Sequence, residues 1–549
     1  MGFASVGSPN VVCLAQRRPP VFPPGPKPSL LPTGEVAPAP VVPRHSSPLL
    51  PPHREWPWGQ QHRPAKVLPT LCPGLETDCR QPIELKIVGT LPDGIEGTLY
   101  RNGPANFSGA RHLFDGYGMV GKVAVRKGKA TYQSAFVETD SYKREKAAKR
   151  TLFGGFGATP PHGLLGVLRG FSSKDPANVN VIFWNERLYA LSDVGVPHEM
   201  DPISLKTLGP DTLGQRLPLR GGFCAHPKLH RPTGDLWAFS VKYGPASTLQ
   251  IFQISPDRQG NASVTKKGPG QQAPRFCVDM PFPSVIHDFA LTATKAVFMF
   301  VPYCVERFPW KLLLGLVAPV DVMHWLPELG TTVVTIDLKT GEQQWASTTA
   351  IFALHHVNAF DNPDGSVTLD TCAHPDPEVI DLVSNSDSDI GIRAKLRRLV
   401  VRHGEIIDTP LADAVLEFPR LAPQLRGVPH RTVFGLTLRP GSARETAIVK
   451  IELPDEEHPE ARISSPPMRP GETVRECIPV PKANAQDLNH DVWLWAFVKI
   501  AANNTTELRI LDGENPALGP VCTMVLPQNF PADIHGVFVR LGSVEPSID

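Results

Sequence analysis

Val181-Ile182-Phe183-Trp184 is followed by Asn185-Glu186 and, after Arg187, by Leu188-Tyr189-Ala190-Leu191. Each apolar run is too short for an ordinary helix and the polar pair between them suits a turn, so the stretch reads as strand, turn, strand. The pattern recurs outward in both directions. Towards the N-terminus, Ile87-Val88-Gly89-Thr90 runs into Pro92-Asp93-Gly94, and Gly97-Thr98-Leu99-Tyr100 runs into Arg101-Asn102-Gly103-Pro104, read here as a turn. Towards the C-terminus, residues 332–336 lead into turn residues at 337–341, and Ser366-Val367-Thr368-Leu369 is a further short strand. Few segments are long and helix-like; 142–152 is one. Many short strands with regular turns imply an all-β sandwich, barrel or propeller.

Four histidines stand in distinctive settings against this background. They are His226 in Ala225-His226-Pro227, His287 in Ile286-His287-Asp288-Phe289, His355 in His355-His356-Val357-Asn358-Ala359, and His535 in Ile534-His535-Gly536. They are separated by 61, 68 and 180 residues. The last gap is close to three of the first. A unit of ~60–70 residues fits about seven times into 85–549, which is propeller-like, although longer than the usual ~40–50-residue blade. No clean repeated motif accompanies the spacing. A propeller brings the inner strand of every blade to one axis, so residues far apart in sequence meet there. Taken singly, a histidine on an apolar strand is more often a satisfied core or surface residue than a ligand. His355 and His356 are adjacent, so in a strand they face opposite sides and only one can reach a central metal.

Composition narrows the function. Lys+Arg is 55 and Asp+Glu is 54 in 549 residues, with no basic run, so nothing favours nucleic acid as a partner. The nine cysteines are scattered, without a C-x-x-C pair, which excludes a disulfide framework or a zinc–thiolate site and favours a reducing compartment. Residues 1–84 form a Pro-rich leader, expected to be disordered. The leader carries Arg17, Arg18 and Lys27 but no acidic residue before Glu35, the rough signature of a plastid transit peptide. A plain disordered leader on a cytoplasmic, membrane-associated protein is the alternative. The globular domain is expected over 85–549. Residues 308–326 are apolar, with Trp310 and Trp325 near the ends, but Pro309, Lys311, Pro319 and Asp321 make a poor transmembrane helix. A segment lying on a bilayer surface fits better, and a buried core loop is the alternative.

From about Ile87 to Arg540 the sequence resembles the carotenoid cleavage oxygenase family. The resemblance rests on the run from Gly97 through Pro104, on His112-Leu113-Phe114-Asp115-Gly116-Tyr117-Gly118-Met119, and on all four histidine settings. Leu416-Glu417-Phe418-Pro419-Arg420 and Phe530-Pro531 to His535-Gly536 extend it. It implies a seven-bladed β-propeller with a helical and loop cap over one axial non-haem Fe(II), bound by His226, His287, His355 and His535. His355 is preferred to His356 because the family ligand stands three residues before the Asn of the Asn-Ala pair, here Asn358-Ala359.

The resemblance also implies three outer carboxylates: Glu417 for His355, Glu476 for His535, and, at the third position, Asp193 for His287. Asp193 is one methylene shorter than the usual Glu. None is assigned to His226. Tyr117 stands where the family commonly has Asp, and Asp533-Ile534 where Gly-Phe is usual. Neutral imidazoles suit Fe(II) and leave positions open for O2. The implied activity is oxidative cleavage of a conjugated C=C bond in a carotenoid or apocarotenoid, a lipophilic polyene, giving two carbonyl products. Stilbene-type olefin cleavage, isomerisation or a non-catalytic binding module are the alternatives on this scaffold.

Overall fold

The strand–turn–strand unit forms the inner half of a four-stranded antiparallel sheet. Asn180–Trp184 pairs with Arg187–Leu191, and His198–Met200 and Thr207–Pro210 complete it. Asn185 and Glu186 have φ of 53° and 62°, the left-handed pair of a two-residue hairpin turn whose twist matches the strands it joins. The computed structural model describes residues 77–548 apart from 108–109, 162, 169–172, 212, 214–221, 257–273, 383–391, 443, 531–532 and 543–546.

Six more sheets of four or five strands repeat this plan, giving a seven-bladed propeller. The innermost strands are Asn180–Trp184, Lys228–His230, Ala290–Leu291, His356–Asp361, Glu417–Arg420, Glu472–Pro481 and His535–Arg540. Each has a sheet neighbour on one side only; on the other side of Asn180–Trp184, Phe183 exchanges two backbone hydrogen bonds with Ser547 near the C-terminus. The last blade joins the two ends of the fold. Its inner strand, His535–Arg540, pairs with Gly97–Ala105, followed outward by Tyr117–Arg126, Lys129–Phe136 and Cys79–Glu84. Large apolar side chains such as Trp237, Trp495, Phe298 and Leu99 are fully buried within and between the blades, and this burial is the main stabilising term.

Three expectations change. The turn expected at residues 101–104 is strand: Gly97–Ala105 runs straight through it, buried along its whole length. Arg101 and Asn102 look like turn residues in isolation. In the fold their side chains are bonded to distant groups, Arg101 to Asp533 (2.8 Å) and Asn102 to the carbonyls of Ala177 (2.9 Å) and Asn180 (2.8 Å). The expected leader lies outside the described residues up to 76, but its last six residues form the edge strand Cys79–Glu84. The helix expected at 142–152 covers Asp140–Ala148. Thr139 caps it by accepting from the Tyr142 N–H, and Lys149 ends it in the left-handed conformation.

All seven inner strands begin on one face. The described short α-helices, Asp140–Ala148, Gly163–Leu168, Trp310–Leu313 and Glu378–Leu382, lie in connections on that same face. The apolar stretch 308–326 divides. Phe308, Trp310, Leu313 and Leu316 are exposed, whereas Ala318 and Val322 are buried and Trp325 packs on the core through the small hairpin Tyr303–Val305/Met323–Trp325.

Candidate metal centre

Each of the four histidines stands at or just before the start of an inner strand: His226 before Lys228–His230, His287 before Ala290–Leu291, His355 before His356–Asp361, and His535 as the first residue of its strand. Local sequence explains the placement. Pro227 interrupts no ladder, since an innermost strand is an edge on its axial side. Gly536 is required by close approach: a Cβ there would lie 2.3 Å from the Tyr100 carbonyl oxygen.

The fold brings all four histidines together. Each offers one ligand nitrogen, and the four atoms lie within 4.8 Å of one another. The Nε2 atoms of His226 and His287 are 3.0 Å apart, and the His226 ring stands edge-on to the other three at centroid distances of 4.6, 5.3 and 4.5 Å. Burial, together with neighbouring imidazoles, holds His226 and His535 well below the ordinary histidine pKa, hence neutral and able to donate a lone pair. The His355 Nε2 is sealed from solvent without a hydrogen-bond partner. A buried polar atom in that state costs free energy unless something else satisfies it, and a metal ion would. His356 lies outside this group. Its N–H donates to Asp288 Oδ2 (3.0 Å) and its Nδ1 lies 2.9 Å from Thr371 Oγ1.

Three carboxylates back the histidines through Nδ1. Asp193 Oδ2 is 2.9 Å from His287, Glu417 Oε2 is 2.6 Å from His355, and Glu476 Oε1 is 2.9 Å from His535. The short Asp193 therefore reaches its histidine directly. An acceptor at Nδ1 fixes the tautomer that leaves Nε2 free to bind a metal and raises its basicity.

The sequence assigned no role at the site to several residues around it, though most of them lie in the motifs quoted above. Arg101 and Arg420 both grip Glu476, Arg420 through Nε at 2.8 Å. Asp533, one of the departures noted above, pairs with Arg101 and is buried, which pushes its own carboxyl pKa up. Phe418 follows Glu417 at an irregularity in the ladder and has φ of 50°. This bulge aims Glu417 at His355 and lays the Phe418 ring 5.1 Å from His355 and 5.2 Å from His535. His374 Nε2 lies 2.7 Å from Glu417 Oε1. Burial raises the Glu417 pKa, but His355 and His374 outweigh it and hold the carboxyl well below the usual range. Tyr117, the other departure, donates from its hydroxyl to Glu145 Oε2 at 2.7 Å, on the helix Asp140–Ala148 and away from the histidines.

Two environments adjoin the histidines. A cavity of about 370 Å³ runs along the axis past Lys228, Asp288, Arg420 and Arg426. Lys228 Nζ is 2.7 Å from Asp288 there, an ion pair set among apolar residues such as Leu229, Phe289, Val357 and Phe418. A second environment is apolar: Val179, Ala225 and Ile534 pack with Phe114 and Phe418.

A sequence model of the retinal pigment epithelial membrane protein (RPE65) family matches residues 74–540. The chain belongs to this family. Among carotenoid-cleaving relatives, it is 29% identical over 473 residues to the apocarotenoid-15,15'-oxygenase of Synechocystis, covering 83% of this chain and 92% of that one. It is 26% identical over 495 residues to the carotenoid 9,10(9',10')-cleavage dioxygenase 1 of Arabidopsis thaliana, covering 83% and 86%. The structure of the cobalt-substituted Synechocystis oxygenase superposes with a TM-score of 0.75 at 26% identity, covering 85% of this chain and 97% of that one. As the resemblance implied, this family member is a seven-bladed propeller with a four-histidine cluster on its axis.

Proposed function

We propose that this chain is a non-haem Fe(II) dioxygenase that cleaves a conjugated C=C bond of a carotenoid or apocarotenoid with O2, giving two carbonyl products. His226, His287, His355 and His535 hold the iron. The observation that carries the proposal is the convergence of four imidazole nitrogens at the axis of a propeller shared with carotenoid-cleaving relatives. Four neutral nitrogen donors suit Fe(II), and the iron, when bound, supplies O2 activation.

The chain's own residues do the rest. Asp193, Glu417 and Glu476 accept the Nδ1 protons and keep the rings oriented. Phe418 and the apolar group around Phe114 provide a water-poor wall for a polyene. Holding one double bond of a long substrate against the reacting centre is itself a large catalytic contribution, because it replaces a chance encounter by a fixed geometry. No contact described above favours a stilbene or isomerisation over cleavage of a polyene.

The lipophilic substrate also explains an exposed apolar surface. Phe308, Trp310, Leu313 and Leu316 stand out from one connection, and Leu164, Leu165 and Leu168 from the helix Gly163–Leu168. The two meet where a Cβ on Gly315 would touch Val167 at 2.9 Å. This patch docks on the bilayer surface, and residues 318–326 serve as its foot in the core rather than as part of it. Among the described residues no helix is long and apolar enough to cross a membrane. Plastid targeting by residues 1–84 accords with their composition. One relative, 26% identical over 87% of this chain, is named as a probable chloroplastic carotenoid cleavage dioxygenase of Arabidopsis.

The deciding test is metal analysis of the purified protein followed by product analysis with a panel of carotenoids, apocarotenoids and stilbenes. About one iron per chain and paired carbonyl products are expected, as one four-histidine site requires. His355→Ala should lose both iron and turnover, and His356→Ala should keep them. A folded protein that stays metal-free when supplied with Fe(II) overturns the proposal. Liposome flotation of Trp310→Ser/Leu313→Ser tests the docking patch, and a fluorescent fusion of residues 1–84 tests targeting.

A further inference from the structure

The three outer carboxylates are held in three different ways, and one of them leads to a histidine that nothing in the sequence singles out. Glu476 is gripped by two guanidinium groups. Asp193 takes a backbone N–H, from Ala225, at 3.2 Å. Glu417 is shared between two imidazoles: Oε2 accepts from His355 Nδ1 at 2.6 Å and from the Phe418 N–H at 2.8 Å, while Oε1 is 2.7 Å from His374 Nε2.

We propose that His374 is a positioning residue for the metal centre, holding Glu417 so that Glu417 in turn fixes the His355 ring. The inference rests on the four-histidine metal reading above. Its geometry is independent of that reading. His374 stands just past the strand Val367–Ala373 and is 3% exposed. Its backbone is clamped by a reciprocal bridge: the His374 N–H donates to Phe352 O at 2.7 Å, and the Phe352 N–H donates to His374 O at 3.0 Å. Its ring packs edge-on against Phe352. The ring is therefore fixed by its own strand before it meets Glu417.

Glu417 needs such an anchor. It sits on a bulge, next to a residue in a strained left-handed conformation, where the ladder gives least support. Its side chain is 2% exposed, so water does not replace a lost donor at Oε1. Without His374 the carboxylate can rotate towards another donor, and the His355 Nδ1 acceptor loses its fixed place. Outer partners of metal-bound histidines commonly govern affinity by about 10–100-fold.

The test compares two variants of the full chain. His374→Gln keeps an N–H at about the reach of Nε2. His374→Asn is too short to reach Oε1. Binding of Co(II) is followed by its d–d absorption, and of Fe(II) by competition with a chelator. Circular dichroism and thermal melts select the folded samples. We expect His374→Asn to weaken both metals about 10–100-fold and to alter the Co(II) band, and His374→Gln to stay within a few-fold of wild type. In a Glu417→Gln background the His374→Asn effect should largely vanish, because the two residues act as one unit. Wild-type affinity in His374→Asn, or an undiminished effect in the Glu417→Gln background, overturns the proposal. If His374→Asn does not fold, weak binding by a folded His374→Gln that retains the donor counts against it. A wild-type protein that binds neither metal sinks the dioxygenase reading itself, an outcome distinct from the others.

Discussion

The two sides of the histidine cluster are built on opposite principles. At His535 the supporting carboxylate, Glu476, is fully buried, and at His287 the supporting Asp193 side chain is 38% exposed. Burying a carboxylate far from water is expensive unless cations accompany it, and Glu476 has two, Arg101 and Arg420. Asp193 keeps part of its hydration and needs no guanidinium. It spends its second oxygen on the N–H of Ala225, the residue before His226, so one short side chain steadies two histidines. A closed, charge-compensated half thus faces a half open to solvent. Rigidity at the centre comes from the closed side, and tolerance of a shorter side chain from the open one.

This contrast can be broken most severely at Arg420. Arg420→Met removes one of the two cations around Glu476 and leaves a buried carboxylate under-compensated. A loss of about 3–5 kcal/mol is expected in chemical denaturation, the usual cost of breaking a buried ion pair from one side. A loss below about 1 kcal/mol would show that Arg101 alone suffices, as an exposed pair would behave.

Buried neutral histidines elsewhere in the fold give it a pH signature. Burial lowers His112 and His430 to about 4, in each case against the opposing pull of a nearby carboxylate. Both groups bind fewer protons folded than unfolded below the ordinary value near 6.5. Their contribution is therefore complete above about pH 6.5 and is lost as pH falls towards 4, on the order of 3 kcal/mol for each group. Denaturation midpoints of the metal-free protein should fall steadily across that window. A flat profile between pH 6.5 and 4 would contradict the burial of these rings.

Glu476→Gln removes the charge but keeps an acceptor for His535. Metal affinity should fall about 10–100-fold, read by chelator competition. Asp193→Asn should cost less, at the lower end of that range, with stability within about 0.5 kcal/mol of wild type, as for a half-exposed site away from the core. If Asp193→Asn proves as damaging as Glu476→Gln, the open side is as constrained as the closed one. Asp193→Glu is the finest probe. A small gain or no change in affinity is expected, since the extra methylene has solvent to move into.

Much of this was legible along the chain. Val181 to Leu191 announces its hairpin because strand periodicity and turn chemistry are local properties, set by neighbours within a few residues. The four histidines carry recognisable flanks for the same reason: Pro227, Gly536 and the Asn358-Ala359 pair serve the backbone where an inner strand begins. Glu417 and Glu476 were also legible, through their resemblance to a family pattern.

Tertiary structure decided the rest. Arg101 to Pro104 has turn composition but forms strand, because its polar side chains find partners more than 400 residues away in Asp533 and about 75 away in Ala177. Whether Asp193 reaches His287 depends on the spacing between two blades, which no local sequence encodes. His374 and Arg420 look ordinary until the blades close and place them on Glu417 and Glu476. Residues 308–326 read as one mostly apolar stretch, yet only packing against the core separates the exposed Phe308, Trp310, Leu313 and Leu316 from the buried Ala318 and Val322. Sequence by itself determined many of the strands and the spacing of the four histidines, because strand and turn signals are short-range pattern, while the grouping of those histidines as one set came from the family resemblance. Only the folded ring decided which charges are compensated and which stay in water, because burial belongs to the assembled structure and not to any one segment.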